Sequence, residues 1–151
     1  MYRRERKRNL TQATVANRDS LSGCASKGEV LLRGGLHAIE GVEYGYEDTK
    51  LHYRSKAGKS KKYSPDFTIY APVKIFVEYK QFFRNQLEAD KYLDVMLHNP
   101  DISLVFVVKD PSRRILNNTI PLGKWLMDNG FKCYTPSSFL VTLKESPNDL
   151  I

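Results

Sequence analysis

The sequence predicts an α/β fold in which helices flank a mixed central β-sheet, and three observations indicate it. Segments with the two-residue alternation of a half-buried strand are separated by segments with a helical apolar period. Residues 102–108 form an almost unbroken apolar run, as expected of a strand that helices cover on both faces. The chain has 151 residues, 41% of them hydrophobic, which is enough to bury the core of one domain without a disulfide or a metal.

The predicted elements begin after a polar N-terminal arm, residues 1–25, in which a short strand is possible at residues 11–16. Ser26 and Glu29 have the spacing of a capping box and predict the start of a helix that continues to Gly41. The following segment alternates as a strand does, with Val42, Tyr44 and Tyr46 against Glu43, Gly45 and Glu47. Residues 26–151 are therefore expected to form the single domain.

Residues 50–62 are predicted to form a basic hairpin or loop, and strands are predicted from Tyr63 to Tyr70 and from Lys74 to Lys80. A helix is predicted from Arg84 to Asn99, with an apolar face of Ala89, Tyr92, Leu93, Met96 and Leu97 and with Glu88, Lys91 and Asp94 facing water. After the strand at residues 102–108, a short helix is predicted from Pro121 to Asn129 and a strand from Phe131 to Tyr134.

The net charge of +7 is concentrated in two segments. Residues 1–8 contribute +4 and residues 50–62 contribute +6, so the rest of the chain sums to −3. One basic run is often just a solvated surface, but two on an acidic remainder favour contacts with a phosphate backbone. The predicted DNA-binding residues are Arg3, Arg4, Arg6, Lys7, Arg8, Lys56, Lys59, Lys61 and Lys62. Tyr53 and Tyr63 flank the second run and either stack on bases or belong to the core.

The composition disfavours disulfide-rich, zinc-binding, membrane-spanning and secreted proteins. Two cysteines are too few for a disulfide scaffold or a four-cysteine zinc site. No segment approaches the ~18 apolar residues of a membrane helix, and the basic N-terminus does not resemble a signal peptide. We therefore expect a cytoplasmic protein with no membrane partner.

The residues that indicate chemistry are Asp66, Glu78 and Lys80. Glu78 and Lys80 share one face of the predicted strand 74–80, and Asp66 approaches Glu78 if that strand forms a hairpin with the one before it. Adjacent carboxylates repel unless a cation lies between them, and Mg²⁺ prefers oxygen ligands of this kind. A neighbouring lysine can then orient a phosphate or stabilise developing charge. The structural alternative is a cross-strand ion pair worth only ~0.2 to 1 kcal/mol.

These residues resemble a known nuclease pattern. Pro65-Asp66 followed by Glu78-Tyr79-Lys80 resembles the PD-(D/E)-x-K motif of restriction-endonuclease-like nucleases. Over roughly residues 22–145 the order of motifs is also similar to the phage endonuclease I family of four-way-junction resolvases; the further segments are Ser26 to Glu29, Tyr44 to Glu47, Asn99 to Phe106 and Trp125 to Lys132. The sequence departs from the family in a slightly longer spacing between Asp66 and Glu78, and in Gln81 where a glycine commonly follows the lysine.

The resemblance implies a restriction-endonuclease-like fold and a metal-dependent endonuclease that resolves branched DNA such as Holliday junctions, leaving a 5′ phosphate and a 3′ hydroxyl. It implies that Asp66 and Glu78 bind Mg²⁺ or Mn²⁺, with the Tyr79 backbone carbonyl as a further ligand, and that Lys80 is the catalytic lysine. Glu29 is similar to an additional metal-binding carboxylate of the family, although a capping box alone would account for it.

The resemblance also implies a homodimer in which the N-terminal arm is exchanged between subunits, and a location in the host cytoplasm if the protein is phage-encoded. Two alternatives stay open at this point. One is a nuclease of ordinary duplex DNA with the same site. The other is a non-catalytic nucleic-acid-binding protein in which the carboxylates form surface ion pairs.

Overall fold

The computed structural model describes residues 26–151. The predicted arm of residues 1–25, its basic residues and its exchange between subunits lie outside the described residues. The helices are α1 (Lys27–Ala38), α2 (Gln86–His98), α3 (Leu122–Asp128) and α4 (Pro136–Glu145), followed by a 3-10 helix (Pro147–Leu150). The strands are β1 (Glu43–Tyr46), β2 (Leu51–Arg54), β3 (Ser60–Tyr63), β4 (Phe67–Ala71), β5 (Ile75–Lys80), β6 (Leu104–Val108), β7 (Arg114–Ile115), β8 (Ile120–Pro121) and β9 (Lys132–Tyr134).

Five of the strands form a mixed central sheet in the order β1-β4-β5-β6-β9. Strand β4 is antiparallel to both β1 and β5, while β5, β6 and β9 are parallel. The predicted α/β class with a mixed sheet is therefore confirmed. In this arrangement the last residues of β1 and β5 and the first residue of β4 lie at the same end of the sheet.

Helices cover both faces of the sheet, and the alternation predicted for β5 determines which side chains meet them. Ile75, Val77 and Tyr79 lie in the core that contains residues of α1 and α4. Phe76 lies in the second core, which contains residues of α2 and α3. All five residues of β6 are buried, as predicted for a central strand covered on both faces.

The predicted strand from Tyr63 to Tyr70 is wrong, because two strands occupy this segment. Tyr63 ends β3, which pairs with β2 in a separate hairpin, and Phe67 begins β4 in the central sheet. Pro65 lies between them and has no N–H to donate to a ladder, which accounts for the break.

The prediction for the outward face of α2 is also partly wrong. The helix buries Ala89, Tyr92 and Val95, whereas Leu97 is 73% exposed. Glu88 and Lys91 were expected to face water, but both are partly buried. Glu88 turns inward because it pairs with the Lys80 ammonium at 2.7 Å, whereas Lys91 lies over the rings of Tyr63 and Tyr92, close to the buried carboxylate of Glu78.

The start of α1 is as predicted, but the helix ends three residues before the predicted end at Gly41. The Ser26 hydroxyl oxygen accepts the backbone N–H of Glu29 at 3.2 Å, as a helix N-cap does. The helix ends at Ala38, and Gly41 follows with a φ of 82°, a left-handed conformation that glycine adopts readily. The short β7–β8 ribbon and α4 are additional to the predicted elements. No helix within residues 26–151 combines the length and apolarity needed to cross a bilayer.

Candidate functional site

Three carboxylates converge at the end of the sheet where β1 and β5 finish and β4 starts. Glu29, Glu47 and Asp66 each place an oxygen within 4.8 Å of the others, and we call these three residues the acid cluster. Oxygen ligands lie about 2.0 to 2.6 Å from Mg²⁺ or Ca²⁺, so two oxygens bound to one ion are at most about 5 Å apart. The spacing of the acid cluster is therefore compatible with one shared divalent cation.

Glu29 lies in the first turn of α1 and is buried. Its carboxylate accepts the Ser26 hydroxyl at 3.3 Å and the Tyr46 hydroxyl at 3.4 Å. The backbone of α1 can approach β5 because residue 28 is glycine, since a Cβ there would overlap the Tyr79 hydroxyl. The bond from Ser26 thus leaves the Glu29 carboxylate within the acid cluster, so its place at the start of the helix does not prevent it from being a metal ligand.

Glu47 follows the last residue of β1 and was predicted only as an outward-facing strand position. Its φ is 48°, in the left-handed region that costs a residue with a side chain roughly 1 to 2 kcal/mol. Its backbone N–H donates to the Asp66 carbonyl at 2.9 Å. This conformation brings an exposed carboxylate into the acid cluster. Strained backbone of this kind is concentrated at functional sites.

Asp66 precedes β4 and is fixed from the neighbouring strand. Its carboxylate accepts the backbone N–H of Tyr79 at 2.8 Å. Burial, together with the carboxylates of Glu78 and Glu29, raises the pKa of Asp66 to about 9. At neutral pH the metal-free cluster therefore holds a proton, which a divalent cation would displace.

Glu78 lies next to Asp66 but is neutralised differently. It is buried, and its carboxylate accepts the hydroxyl of Tyr63 and, at 3.2 Å, that of Tyr92. The Lys80 ammonium is 3.8 Å from the same carboxylate. Burial raises the pKa of Glu78, and the opposing effects of Lys80 and of the Tyr63 hydrogen bond do not fully cancel it. Glu78 is thus held on the α2 side of Asp66 by two tyrosines and a lysine.

Lys80 lies between the carboxylates of Glu78 and Glu88, and Glu88, which belongs to α2, is the nearer. Its ammonium is 2.7 Å from Glu88, which also accepts the backbone N–H of Arg84 at 2.9 Å and its Nε at 3.1 Å. Burial alone would raise the pKa of Glu88, but the hydrogen bonds from Lys80 and Arg84 outweigh it and lower the pKa to about 2. We call Glu78, Lys80 and Glu88 the lysine pocket.

Aromatic side chains and a second lysine enclose the lysine pocket. The Lys91 ammonium lies 4.7 Å from the ring centroid of Tyr92 and 5.3 Å from that of Tyr63. Burial lowers the pKa of Lys91, an effect that Glu78 opposes. Tyr63 and Tyr53 are both buried, so of the two roles considered for them the structure supports the core role.

The basic hairpin β2–β3 packs against α2, where the Asn99 side-chain amide donates to the His52 carbonyl at 2.9 Å. Of its predicted DNA-binding residues, Lys59, Lys61 and Lys62 are exposed and form no salt bridge within residues 26–151. Lys56 is paired with Asp90 at 3.0 Å. Three of the four predicted lysines are therefore available to a phosphate backbone.

The structure thus brings Glu29 and Asp66 into one cluster, with Glu78 and Lys80 beside it. It adds Glu47 and Glu88, for which the sequence offered only weak signals: an acidic residue following β1, and a polar position on a helix near a buried glutamate. Carboxylate oxygens without cysteine or histidine fit a hard divalent cation such as Mg²⁺ or Mn²⁺.

Comparison of the chain with protein-family models, with curated proteins and with solved structures finds no match.

Proposed function

We propose that the chain is a metal-dependent DNA endonuclease that resolves branched DNA, such as four-way Holliday junctions, by phosphodiester hydrolysis. The observation that carries this proposal is the convergence of the acid cluster and the lysine pocket at one end of the sheet. Mg²⁺ or Mn²⁺, when bound, supplies Lewis-acid polarisation of the phosphate and lowers the pKa of water. The resemblance in the order of motifs to the endonuclease I family supports the branched substrate. It also supports a restriction-endonuclease-like fold.

The residues of the chain have separate tasks in this reaction. The acid cluster binds the cation. Glu78, expected from the sequence to be a metal ligand, accepts two tyrosine hydroxyls and instead completes the anionic side of the site. Lys80 donates to a non-bridging oxygen of the scissile phosphate, where negative charge grows in the transition state. Water forms the new bond to phosphorus, the bond to the 3′ oxygen breaks, and that oxygen takes up a proton, leaving a 5′ phosphate and a 3′ hydroxyl.

Two cuts in a four-way junction need two sites, so the proposal includes a homodimer. In the described chain Glu29 lies in one cluster with Asp66. If the N-terminal segment and α1 are exchanged together between the two subunits, Glu29 of one chain completes the site of the other. Glu29→Ala protein refolded together with Asp66→Ala protein should then regain part of the cleavage. A mixture that stays inactive, although each variant is dimeric by sedimentation, would remove the exchange.

The direct test of the function is cleavage of a labelled four-way junction and of a linear duplex of the same arm sequence, each with Mg²⁺, with Mn²⁺ and with a chelator. We expect cleavage only with a divalent cation, and faster on the junction. Equal rates on both substrates would indicate a nuclease of ordinary duplex DNA. Binding without cleavage under all conditions would indicate a non-catalytic DNA-binding protein. We place the protein in the cytoplasm, where such DNA intermediates occur.

A further inference from the structure

A groove of about 490 Å³ lies beside the lysine pocket, outside both basic segments that the sequence indicates. One wall is formed by residues 82–86, between the end of β5 and the first residue of α2. The other is formed by residues 113–119, which include β7 and the turn of the β7–β8 ribbon. Since Arg84 lines the groove and bonds to Glu88 of the lysine pocket at 3.1 Å, the groove lies next to the place where the proposed site holds a phosphate.

The groove is basic. Its lining includes Arg84, Arg113 and Arg114 and contains no aspartate or glutamate. Arg84 is 79% exposed and shares Glu88 with Lys80, while Arg114 bonds to the carbonyls of Asn118 and Thr119 at 3.1 Å each. These two arginines therefore have structural partners and add to the charge of the groove.

Arg113 is the arginine with an available hydrogen-bonding edge. Its guanidinium stacks on the Phe82 ring at 4.6 Å, and within residues 26–151 it forms no salt bridge. Stacking on an aromatic face fixes the plane of a guanidinium but leaves its in-plane N–H groups available. Such a group is suited to bidentate binding of a phosphate.

The ribbon adds a turn with exposed amides. Leu116, Asn117 and Asn118 have φ values of 53°, 59° and 62°, three successive left-handed residues. The Thr119 hydroxyl donates to the Leu116 carbonyl at 2.6 Å and closes the turn. Asn117 and Asn118 are exposed and line the groove, where their amides can reach sugar and phosphate oxygens.

The rim of the groove lies close to the tip of the basic hairpin β2–β3. Lys56, near the tip of the hairpin, and Gln86, on the rim of the groove, both bond to the carboxylate of Asp90, at 3.0 Å and 2.8 Å. The hairpin tip and the rim of the groove therefore meet over the first turns of α2, on the two sides of Asp90.

We propose that this groove binds the sugar–phosphate backbone of a DNA strand on one side of the cleaved phosphate, with Arg113 on a phosphate group and Asn117 and Asn118 on neighbouring oxygens. The inference rests on the proposed function for the identity of the ligand as DNA. It adds a contact that neither basic segment supplies.

The test is the salt dependence of DNA binding by the full chain in a chelating buffer, measured by fluorescence anisotropy of a labelled four-way junction. Arg113→Gln should weaken binding about three- to tenfold and reduce the slope of log affinity against log salt by about 0.9, the contribution of one phosphate contact. Lys144→Gln is the matched control, because it removes one exposed charge from α4, on the other side of the sheet, and should change little. Asn117→Gly preserves the left-handed turn and should weaken binding without changing the slope, since an amide carries no charge.

The outcomes separate this inference from the proposed function. If Arg113→Gln and Asn117→Gly bind like the wild type while replacement of Lys59, Lys61 and Lys62 weakens binding, the groove is overturned and the nuclease proposal stands. If Arg113→Gln shows the expected loss but the wild type cleaves nothing with Mg²⁺, the groove stands and the nuclease proposal fails. An equal loss of affinity for polyglutamate would overturn the assignment to DNA, and absence of any DNA binding would overturn both.

Discussion

The two halves of the site, the lysine pocket and the acid cluster, differ in how their negative charge is neutralised. In the lysine pocket, Lys80 contacts both Glu78 and Glu88, and tyrosine hydroxyls occupy the oxygens of Glu78. In the acid cluster, no lysine or arginine of residues 26–151 forms a salt bridge with Glu29, Glu47 or Asp66. Within the described residues, Lys80 balances the first half, whereas no cationic side chain forms a salt bridge with the second. This difference favours the acid cluster as the place where the proposed cation binds, and the lysine pocket as the place where phosphate charge is met.

The largest expected effect comes from removing charge from the acid cluster. Asp66→Asn retains an oxygen that can accept the Tyr79 N–H but removes a metal ligand, so Mg²⁺-dependent cleavage should fall below detection while junction binding persists. Gel assays of cleavage and of binding measure both. Asp101→Asn, at an exposed position, is the control and should behave as wild type. Normal cleavage by Asp66→Asn would remove the acid cluster from the site.

Replacing Lys80 in the lysine pocket should lower the rate of junction cleavage without affecting metal binding. Lys80→Met keeps most of the side-chain length but removes the charge, and we expect turnover to fall on the order of a hundredfold with little change in junction affinity. Single-turnover kinetics at saturating protein separate the two quantities. A parallel loss of affinity and rate would make Lys80 an ordinary phosphate anchor.

A smaller effect is expected at Glu88, which acts through Lys80. Glu88→Gln weakens the 2.7 Å contact that positions the ammonium, and should lower kcat about tenfold with KM nearly unchanged. Asp128→Asn removes the acidic partner of an exposed helical ion pair with Lys124 and serves as the control. A rise in KM alone would mean that Glu88 supports substrate binding instead.

The two halves also differ in how the sequence reveals them. Asp66, Glu78 and Lys80 belong to one local motif, and strand alternation alone places Glu78 and Lys80 on a common face. Glu47 could not be assigned in this way, because its role depends on the left-handed turn after β1 and on β1 lying beside β4. Glu88 and Lys91 were assigned to water because a helical period identifies polar positions but not the buried charge that faces them.

Strong hydrophobic periods were enough to predict the main elements of the fold, but they did not predict the short strands and their partners. The buried run of β6 and the alternation of β5 predicted the central sheet correctly. The break at Pro65 was missed because the apolar pattern on its two sides does not show that β3 pairs with β2 while β4 pairs with β1. The β7–β8 ribbon has two residues in each strand and depends on hydrogen bonds made by Arg114 within its turn.

The acid cluster also predicts a dependence of thermal stability on pH. The pKa of Asp66 is about 9 in the folded chain and near 3.8 when unfolded, so the metal-free folded state retains a proton that the unfolded state releases. The stabilisation from that proton is complete below the unfolded value and is lost as the pH rises toward 9. Melting curves in chelator should therefore show Tm falling from pH 5 to pH 8, and Mg²⁺ should raise Tm more at pH 8. Asp66→Asn should flatten both trends, and an unchanged dependence would assign them to another group.

Calorimetry measures metal binding without a substrate and therefore tests directly whether the acid cluster binds the cation. Mn²⁺ should be titrated into wild type, Glu47→Gln and Glu88→Gln, the last being the matched glutamate of the lysine pocket. We expect Glu47→Gln to weaken Mn²⁺ binding at least about tenfold, because a ligand of the shared cation is lost, and Glu88→Gln to leave it unchanged. Binding by Glu47→Gln that equals the wild type, or a greater loss in Glu88→Gln, would contradict the assignment of the metal to the acid cluster.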